Sequence, residues 1–258
     1  MARRLAGMKA RLHPLLDPWL SLPDHRRARR ALADLSDGEV HAVVRVPYYP
    51  QFASPNLIHA YIHEGYDGTH DPRWREFGAD DPAEYAFWAH RVCALACIKM
   101  AVEAYYPARQ PSLWELVQRG LSHGGYTVRD AEGRWVDQGW TMGAQMALAA
   151  EYGLQAAGQG YASPLSICRA IREGALVAAS VTPELGERDP QPGRYGGHLV
   201  LVTGFVWQRG RPAAYILHNP SGRYSELQAG ARIPAARFNR SFAHRLIAFR
   251  RAKESTSP

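Results

Sequence analysis

The sequence has few cysteines, no long apolar run and little net charge beyond its first thirty residues. It has three cysteines, Cys93, Cys97 and Cys168, and a small, odd number of cysteines does not indicate a disulfide framework. No stretch approaches the roughly 18 apolar residues that would cross a bilayer. These absences predict a cytoplasmic protein with reduced thiols and no membrane span. With 46% hydrophobic residues, the chain can still bury a large core.

The basic charge is concentrated in an N-terminal arm, residues 1–39. Residues 1–30 hold eight lysines and arginines against two acidic residues, which accounts for six of the seven net charges. The body therefore lacks the basic character of a nucleic-acid binder, and it shows no basic–aromatic pattern. Charged residues and prolines interrupt the arm, so it does not read as a signal peptide. Its apolar spacing predicts short helices packed on the body; docking to an acidic partner, peptide or membrane surface is the alternative.

The remaining chain is predicted to form one domain, residues 40–252, followed by a disordered tail, 253–258. Helices come first and antiparallel strands come late, which predicts an α+β fold. Predicted helices cover 87–106, 112–118, from Thr141 to just before Gly153, and 163–174. Predicted strands cover 41–46, 176–181, 198–207, 213–218 and 241–250, with a hairpin at 126–135 and a loop-rich segment at 52–84.

Two of these strands place polar residues at one end of the sheet. The run that starts at Gly196-Gly197-His198 is followed by a turn and by a second strand that ends at Asn219. In a hairpin centred on that turn, facing residue numbers add to roughly 418–422. His198 then lies opposite Asn219 or just past it. An asparagine oxygen can hold one ring nitrogen of a histidine and leave the other for chemistry.

A nucleophilic thiol would complete such a site, because a thiol needs a base and the base needs an orienting group. Cys93 lies near the start of a predicted helix, where the helix dipole favours the thiolate. Gln51 lies on a tight turn after the first strand, and its amide can donate to a developing oxyanion. The candidate catalytic residues are therefore Gln51, Cys93, His198 and Asn219.

Structural roles for the same residue types remain open. Cys93 and His198 can be ordinary buried residues, and Cys97, one helical turn on, can be the reactive thiol instead. Cys168, His90 and His218 are interpreted as structural. A zinc site formed by Cys93, Cys97 and His198 would lack a fourth ligand, so no metal and no cofactor are predicted.

The motifs around these residues resemble a known family. Val46-Pro47-Tyr48-Tyr49-Pro50-Gln51, Arg91 to Cys97, Gly196 to Gly204 and Asn219-Pro220-Ser221-Gly222 together resemble papain-like cysteine peptidases, and most closely the bacteriocin-processing (double-glycine leader) peptidases and their stand-alone relatives. The likeness covers about residues 43–225. It implies a papain-like α+β fold with a helical half, an antiparallel half and the site in the cleft between them. It also implies that Gln51 is the oxyanion donor, Cys93 the nucleophile, His198 the base and Asn219 the orienting residue.

Three positions depart from the family pattern. Ala94 follows the nucleophile where the family usually has glycine, and Asn219 stands where it usually has aspartate. The separation of 42 positions between Gln51 and Cys93 is long, which implies an inserted segment at 52–88 beside the site and a candidate lid.

The sequence thus predicts a cysteine peptidase that cleaves a peptide, such as a natural-product precursor or leader peptide, through an acyl-enzyme. The alternatives are an acyl or peptidyl transferase with the same triad, and a catalytically silent peptide-binding protein.

Overall fold

The chain combines helices with one antiparallel sheet, which confirms the predicted α+β class. A computed structural model describes residues 13–43, 45–129, 137, 139–191 and 195–252. Its helices are α1 (13–20), α2 (Leu22–Ala31), α3 (Pro82–Ala89), α4 (Cys93–Tyr105), α5 (Leu113–Ser122), α6 (Met142–Glu151), α7 (Pro164–Arg172) and α8 (Ala235–Ser241). Its strands are β1 (Gly38–His41), β2 (Leu154–Gly160), β3 (Leu176–Val181), β4 (His198–Gln208), β5 (Arg211–His218), β6 (Ala231–Pro234) and β7 (Phe242–Arg251).

The sheet has the strand order β2-β7-β3-β4-β5-β6, and β1 pairs with the far end of β4. Neighbouring side chains of a strand point to opposite faces, so the sheet contributes to two cores. On β4, Leu201 packs with α4 and its neighbours, whereas Val200 and Val202 pack with α7 and α8. The sheet is therefore covered on both faces, and α4 lies directly against one of them.

The predicted β4–β5 hairpin is confirmed together with its register. Val202 lies opposite Leu217 and Phe205 lies opposite Tyr215, within the predicted range. The predicted strand at 176–181 and the helices capped by Thr141 and Ser163 are also confirmed. Both cap side chains accept a hydrogen bond from a first-turn amide, as expected of N-cap residues.

The predicted helix over 87–106 is confirmed from Cys93 to Tyr105, but its first part is wrong. The chain forms two helices, α3 and α4, which meet at an angle of 93°. α3 ends at Ala89 with His90 as its cap, and α4 begins at Cys93 after the non-helical Val92. No glycine or proline marks the break in the sequence, so it depends on packing around the elbow, residues 90–92.

Other boundaries also differ. The first strand is Gly38–His41 and not 41–46, because the carbonyl of Val46 accepts from the His218 ring instead of joining a ladder. The predicted arm boundary after residue 39 thus falls inside β1.

The helix from Ser112 continues past Gly120, which lies inside α5 beneath the Trp140 ring. The sequence interpretation missed β2, β6 and α8. The predicted hairpin at 126–135 lies mostly outside the described residues.

The arm is held to the body through α2. The buried Asp24 carboxylate accepts hydrogen bonds from the amide of Ser163 and the hydroxyl of Ser166, both at the start of α7. Arg172 near the end of α7 donates to both carboxylate oxygens of Asp34, at 2.7 and 2.8 Å. Ala28 is fully buried in the same contact. These polar and apolar contacts make α2 part of the folded body.

The segment 52–88 folds around one buried carboxylate. Asp71 accepts hydrogen bonds from the Ser54 and Tyr61 hydroxyls at 2.6 and 2.7 Å, from the Tyr85 hydroxyl at 2.7 Å, and from the amides of Ser54 and Arg73. Burial pushes the pKa of Asp71 upward, but these hydrogen bonds outweigh it and lower that pKa. The segment is therefore a packed unit built of short helical turns around an ionised aspartate.

In the described part of the chain, no single helix is both long enough and apolar enough to cross a membrane. Only α3 and α4 taken together meet the length and composition of a span, and they are bent by 93°.

Candidate active site

The structure brings His198 and Asn219 together at the end of the sheet. His198 Nε2 lies 2.8 Å from Asn219 Oδ1, and both side chains are buried. The amide N–H of Ser221 also points to Oδ1, at 3.1 Å. Because a backbone N–H can only donate, the Asn219 atom that receives it must be the oxygen. His198 Nε2 must then carry the proton, which makes Nδ1 the basic nitrogen of the neutral ring.

A tight turn positions the Asn219 side chain. Asn219 N–H donates to the Gln228 carbonyl at 2.9 Å, and Tyr48 Oη donates to the Asn219 carbonyl at 3.1 Å. At Gly222, an added Cβ would lie 2.2 Å from the carbonyl oxygen of Leu227. The turn is thus closed against the chain that follows it, and only glycine fits at its end.

Cys93 is the first residue of α4, at the elbow after α3. The N-cap residue Val92 has no side chain that could cap the helix. First-turn amides have no acceptor within a helix, and they point along the axis together with the positive end of its dipole. Both effects favour a thiolate at Cys93 and a negative oxygen beside it.

The other two thiols are buried. Cys97 is fully buried, and burial together with the neighbouring Cys93 raises the pKa of its thiol well above the ordinary value. Burial raises the pKa of Cys168 to about 12, although the Tyr215 hydroxyl lies 4.0 Å away. Cys93 is half-buried. Greater exposure therefore favours Cys93 over Cys97 as the reactive thiol.

Gln51 connects the two halves of the site. Its main-chain N–H donates to the Pro220 carbonyl, beside Asn219, and its Nε2 donates to the Ala89 carbonyl, at the end of α3; both distances are 2.9 Å. Nε2 has two hydrogens, and this bond uses one of them. The buried Oε1 has no hydrogen-bond partner within the described part of the chain. A buried, unsatisfied oxygen costs roughly 1–3 kcal/mol, so this amide orientation is unfavourable for stability alone.

A cavity of about 850 Å³ lies between the start of α4 and the sheet. Cys93 lines it on the helical side, and Gly197, which directly precedes His198, lines it on the sheet side. The thiol-bearing helix and the imidazole-bearing strand therefore border one space. A larger groove of about 1,370 Å³ lies near the β4–β5 turn at Arg209–Pro212, and none of the candidate residues lines it.

The remaining sequence candidates have structural roles. His218 donates from Nε2 to the Val46 carbonyl and accepts the Gly230 amide at Nδ1, so both its nitrogens are used. His90 packs edge-on against Phe52 and Tyr61, and burial together with Arg91 lowers its pKa. Within the described ranges, no three His, Cys, Asp or Glu side chains form a group that could hold a metal ion.

The candidate lid does not cover the cavity. Among the described residues that line the cavity, none belongs to the segment 52–88. The segment is organised around the buried Asp71, and its Phe52 packs against His90, which itself lines the cavity.

Two contributors were missed by the sequence interpretation. Ser221 Oγ lies 3.2 Å from His198 Nε2, and because Nε2 is a donor this hydroxyl accepts. The motif Asn219-Pro220-Ser221-Gly222 was the available signal. Arg91 and Asp137 form an ion pair at 3.2 Å in the cavity wall. Their separation along the chain left no sequence signal for that pair.

Comparison with known proteins gives distant structural likenesses only. The sequence matches no protein-family model and no curated protein sequence. The peptidase domain of Streptococcus ComA, a bifunctional ABC transporter of a quorum-sensing pathway, is similar over 63% of this chain and 93% of its own, with 13% identity and a TM-score of 0.42. A double glycine motif protease from an AMS/PCAT transporter, solved with its leader peptide, is similar over 62% of this chain and 84% of its own, with 20% identity and a TM-score of 0.39. Similarity at this level is too low to assign a function.

Proposed function

We propose that this chain is a papain-like cysteine peptidase with Cys93 as nucleophile, His198 as general base and Asn219 as the residue that orients the base. One observation carries the proposal. Asn219 accepts from His198 Nε2, which leaves Nδ1 as the basic nitrogen, and the residues on either side of His198, Gly197 and Leu199, line the cavity that Cys93 also lines. A neutral, oriented imidazole and a thiol at a helix N-terminus are the two groups that thiol acyl transfer requires.

The proposed reaction proceeds through an acyl-enzyme. His198 Nδ1 takes the Cys93 proton, and Sγ attacks the peptide carbonyl carbon to form a tetrahedral intermediate with a negative oxygen. When the intermediate collapses, the C–N bond breaks and the protonated imidazole gives its proton to the leaving amine. Water, deprotonated by His198, then attacks the thioester, which releases a carboxylic acid and restores the thiol. No step needs a cofactor.

Asn219 holds the ring without adding a negative charge. An aspartate at this position would stabilise the imidazolium electrostatically, whereas the amide oxygen of asparagine supplies a dipole. The second acceptor, Ser221 Oγ, partly offsets the difference, because Nε2–H then interacts with two oxygens.

The oxyanion would be stabilised by Gln51 Nε2 and by first-turn amides of α4. Replacing Gln51 with alanine is therefore expected to lower kcat by about 10²–10³-fold with little change in KM, because an oxyanion donor acts in the transition state. Steady-state kinetics on a cleaved peptide measure both constants. Gln228→Ala is a useful comparison, because its side chain also bridges loops, from Gly222 to Pro55. A rise in KM at constant kcat would instead assign Gln51 to substrate binding.

We propose a peptide as substrate, and on the motif resemblance a precursor or leader peptide of a natural product, cleaved in the cytoplasm. The transferase alternative differs only in the nucleophile that attacks the thioester. It would be favoured by a lid that excludes water, and the segment 52–88, the lid candidate, does not line the cavity. Hydrolysis is accordingly the proposed outcome.

Thiol labelling tests the proposal without a known substrate. Iodoacetamide should alkylate Cys93 and leave Cys97 and Cys168 unmodified in the folded protein, as mapped by mass spectrometry. His198→Ala should slow alkylation of Cys93 about 100-fold near pH 6, because the thiol would lose the imidazole that keeps it ionised.

The matched control is His218→Gln, which alters a neighbouring structural histidine. Equal labelling of all three cysteines, or a Cys93 rate that is the same with and without His198, would contradict the proposed pair. The latter result, obtained with a protein that still binds peptide, would indicate the catalytically silent binding protein.

A further inference from the structure

Helix α1 turns a polar residue toward the body and apolar residues toward solvent, the reverse of an ordinary surface helix. Its Asp17 faces inward and is only 2% exposed, whereas Trp19 is 72% and Leu15 67% exposed. Leu16, Leu20 and Leu22 are also exposed. We call these five apolar residues, 15, 16, 19, 20 and 22, the outer patch. Five of the seven exposed large apolar side chains identified in the described part of the chain belong to it. A contiguous apolar surface of this kind marks an interaction site.

Polar contacts hold α1 in this orientation. Asp17 accepts a hydrogen bond from the Tyr195 hydroxyl at 2.8 Å, and His13 Nδ1 lies 3.0 Å from the same carboxylate. Ser21, at the junction with α2, is also buried. The leucines and the tryptophan cannot turn inward unless these contacts break. The folded arm therefore holds the outer patch on its solvent-exposed side.

The charges beside the outer patch are positive. The two acidic residues of 13–31, Asp17 and Asp24, are both buried, whereas Arg26, Arg27, Arg29 and Arg30 are exposed on α2. The depression that Leu20 lines also contains Arg27, Arg169 and the exposed Tyr161. In the sequence, residues 1–12 contain four basic residues and no acidic one. The outer patch is therefore an apolar surface bordered by exposed cations.

We propose that the outer patch binds the surface of an anionic lipid bilayer. Aliphatic side chains can enter the boundary between headgroups and acyl chains, and tryptophan and tyrosine favour that interface. Arginines beside them are attracted to anionic headgroups. A second copy of this chain would carry the same cations and would bring them into repulsion. An acidic protein is the other occupant, and it would not produce binding to protein-free vesicles. Charge and apolar character together favour lipid.

This inference is independent of the proposed peptidase activity, although it has a consequence for the site. Tyr195, which bonds Asp17, also lines the cavity of Cys93. An arm bound to a membrane would therefore place the cavity near the lipid surface.

Vesicle co-sedimentation of the whole 258-residue chain tests the inference. The protein is expected to sediment with vesicles that contain about one-third phosphatidylglycerol, and not with vesicles of phosphatidylcholine alone. The triple substitution Leu16→Ser, Trp19→Ser, Leu20→Ser should lower the partition coefficient at least about tenfold. Arg26→Glu with Arg30→Glu should lower it severalfold, and about 0.5 M NaCl should weaken binding of the wild type.

Matched controls separate the patch from general effects. Leu121→Ser removes a similarly exposed leucine from α5, and Arg75→Glu with Arg119→Glu reverses two exposed arginines outside the arm; both should bind vesicles like the wild type. Failure to bind anionic vesicles would overturn the inference. So would binding that the triple substitution leaves unchanged, or a dimer in light scattering that the triple substitution dissociates.

Discussion

Replacing Cys93 with alanine is expected to lower kcat/KM for peptide cleavage by about 10⁴-fold or more, and replacing His198 with alanine is expected to have nearly the same effect. The double variant should be no slower than the worse single variant, because thiol and imidazole act as one unit. Asn219→Ala should cost less, about 10²-fold, since Ser221 Oγ, 3.2 Å from Nε2, still holds the ring. A peptide found in a library digest would serve as substrate.

Cys97→Ala provides the matched control, because it removes a thiol one helical turn away on the same helix. It should retain cleavage, with only the stability loss of a small core change. If the loss of kcat/KM in the double variant equalled the product of the two single losses, Cys93 and His198 would act independently, which would contradict the proposal. Retained cleavage in Cys93→Ala would refute the nucleophile outright.

Asp71→Asn is expected to lower the free energy of unfolding by about 4 kcal/mol at neutral pH, because buried charged networks lose roughly 3–5 kcal/mol when one partner is removed. Three hydroxyl groups and two backbone amides donate the five hydrogen bonds to Asp71, so each of them needs an oxygen acceptor at this position. An asparagine amide would direct two N–H groups at these donors. Denaturant unfolding measures the loss, and Tyr61→Phe, which removes one donor, should cost about 1.5 kcal/mol.

The same carboxylate makes stability depend on pH in one direction. Its folded pKa is lowered, so its contribution is present above its unfolded pKa, about 3.9, and is lost as the pH falls through the folded value. The gap in stability between wild type and Asp71→Asn should therefore narrow below about pH 4. Asp80→Asn, at an exposed position of the same segment, should show little difference at any pH, because an asparagine oxygen can still accept from Trp114 Nε1. An equal gap at pH 7 and at low pH would show that shape, and not charge, holds the segment together.

Local patterns in the sequence were sufficient to predict the strands and helix starts that border the site. Apolar strands separated by a short turn predicted β4 and β5, and the turn centre predicted which residues face each other. That register placed Asn219 beside His198, as the 2.8 Å contact shows. N-cap residues predicted the starts of α5, α6 and α7. Each of these features depends on residues within one hairpin or one helical turn, so the sequence carries the whole signal.

The tertiary structure alone decided the features that join distant residues. It bent the predicted helix by 93° and so made Cys93 the first residue of α4. It paired β2, which lacks β-branched and aromatic residues, with β7 through backbone hydrogen bonds. It placed Gln51 between the Ala89 and Pro220 carbonyls.

The histidine–asparagine pair was therefore determined by the sequence itself, because a hairpin fixes its own register. The approach of the cysteine-bearing helix to the strand that carries His198 was decided only by tertiary packing, because buried polar and apolar groups from separate parts of the chain must be satisfied together.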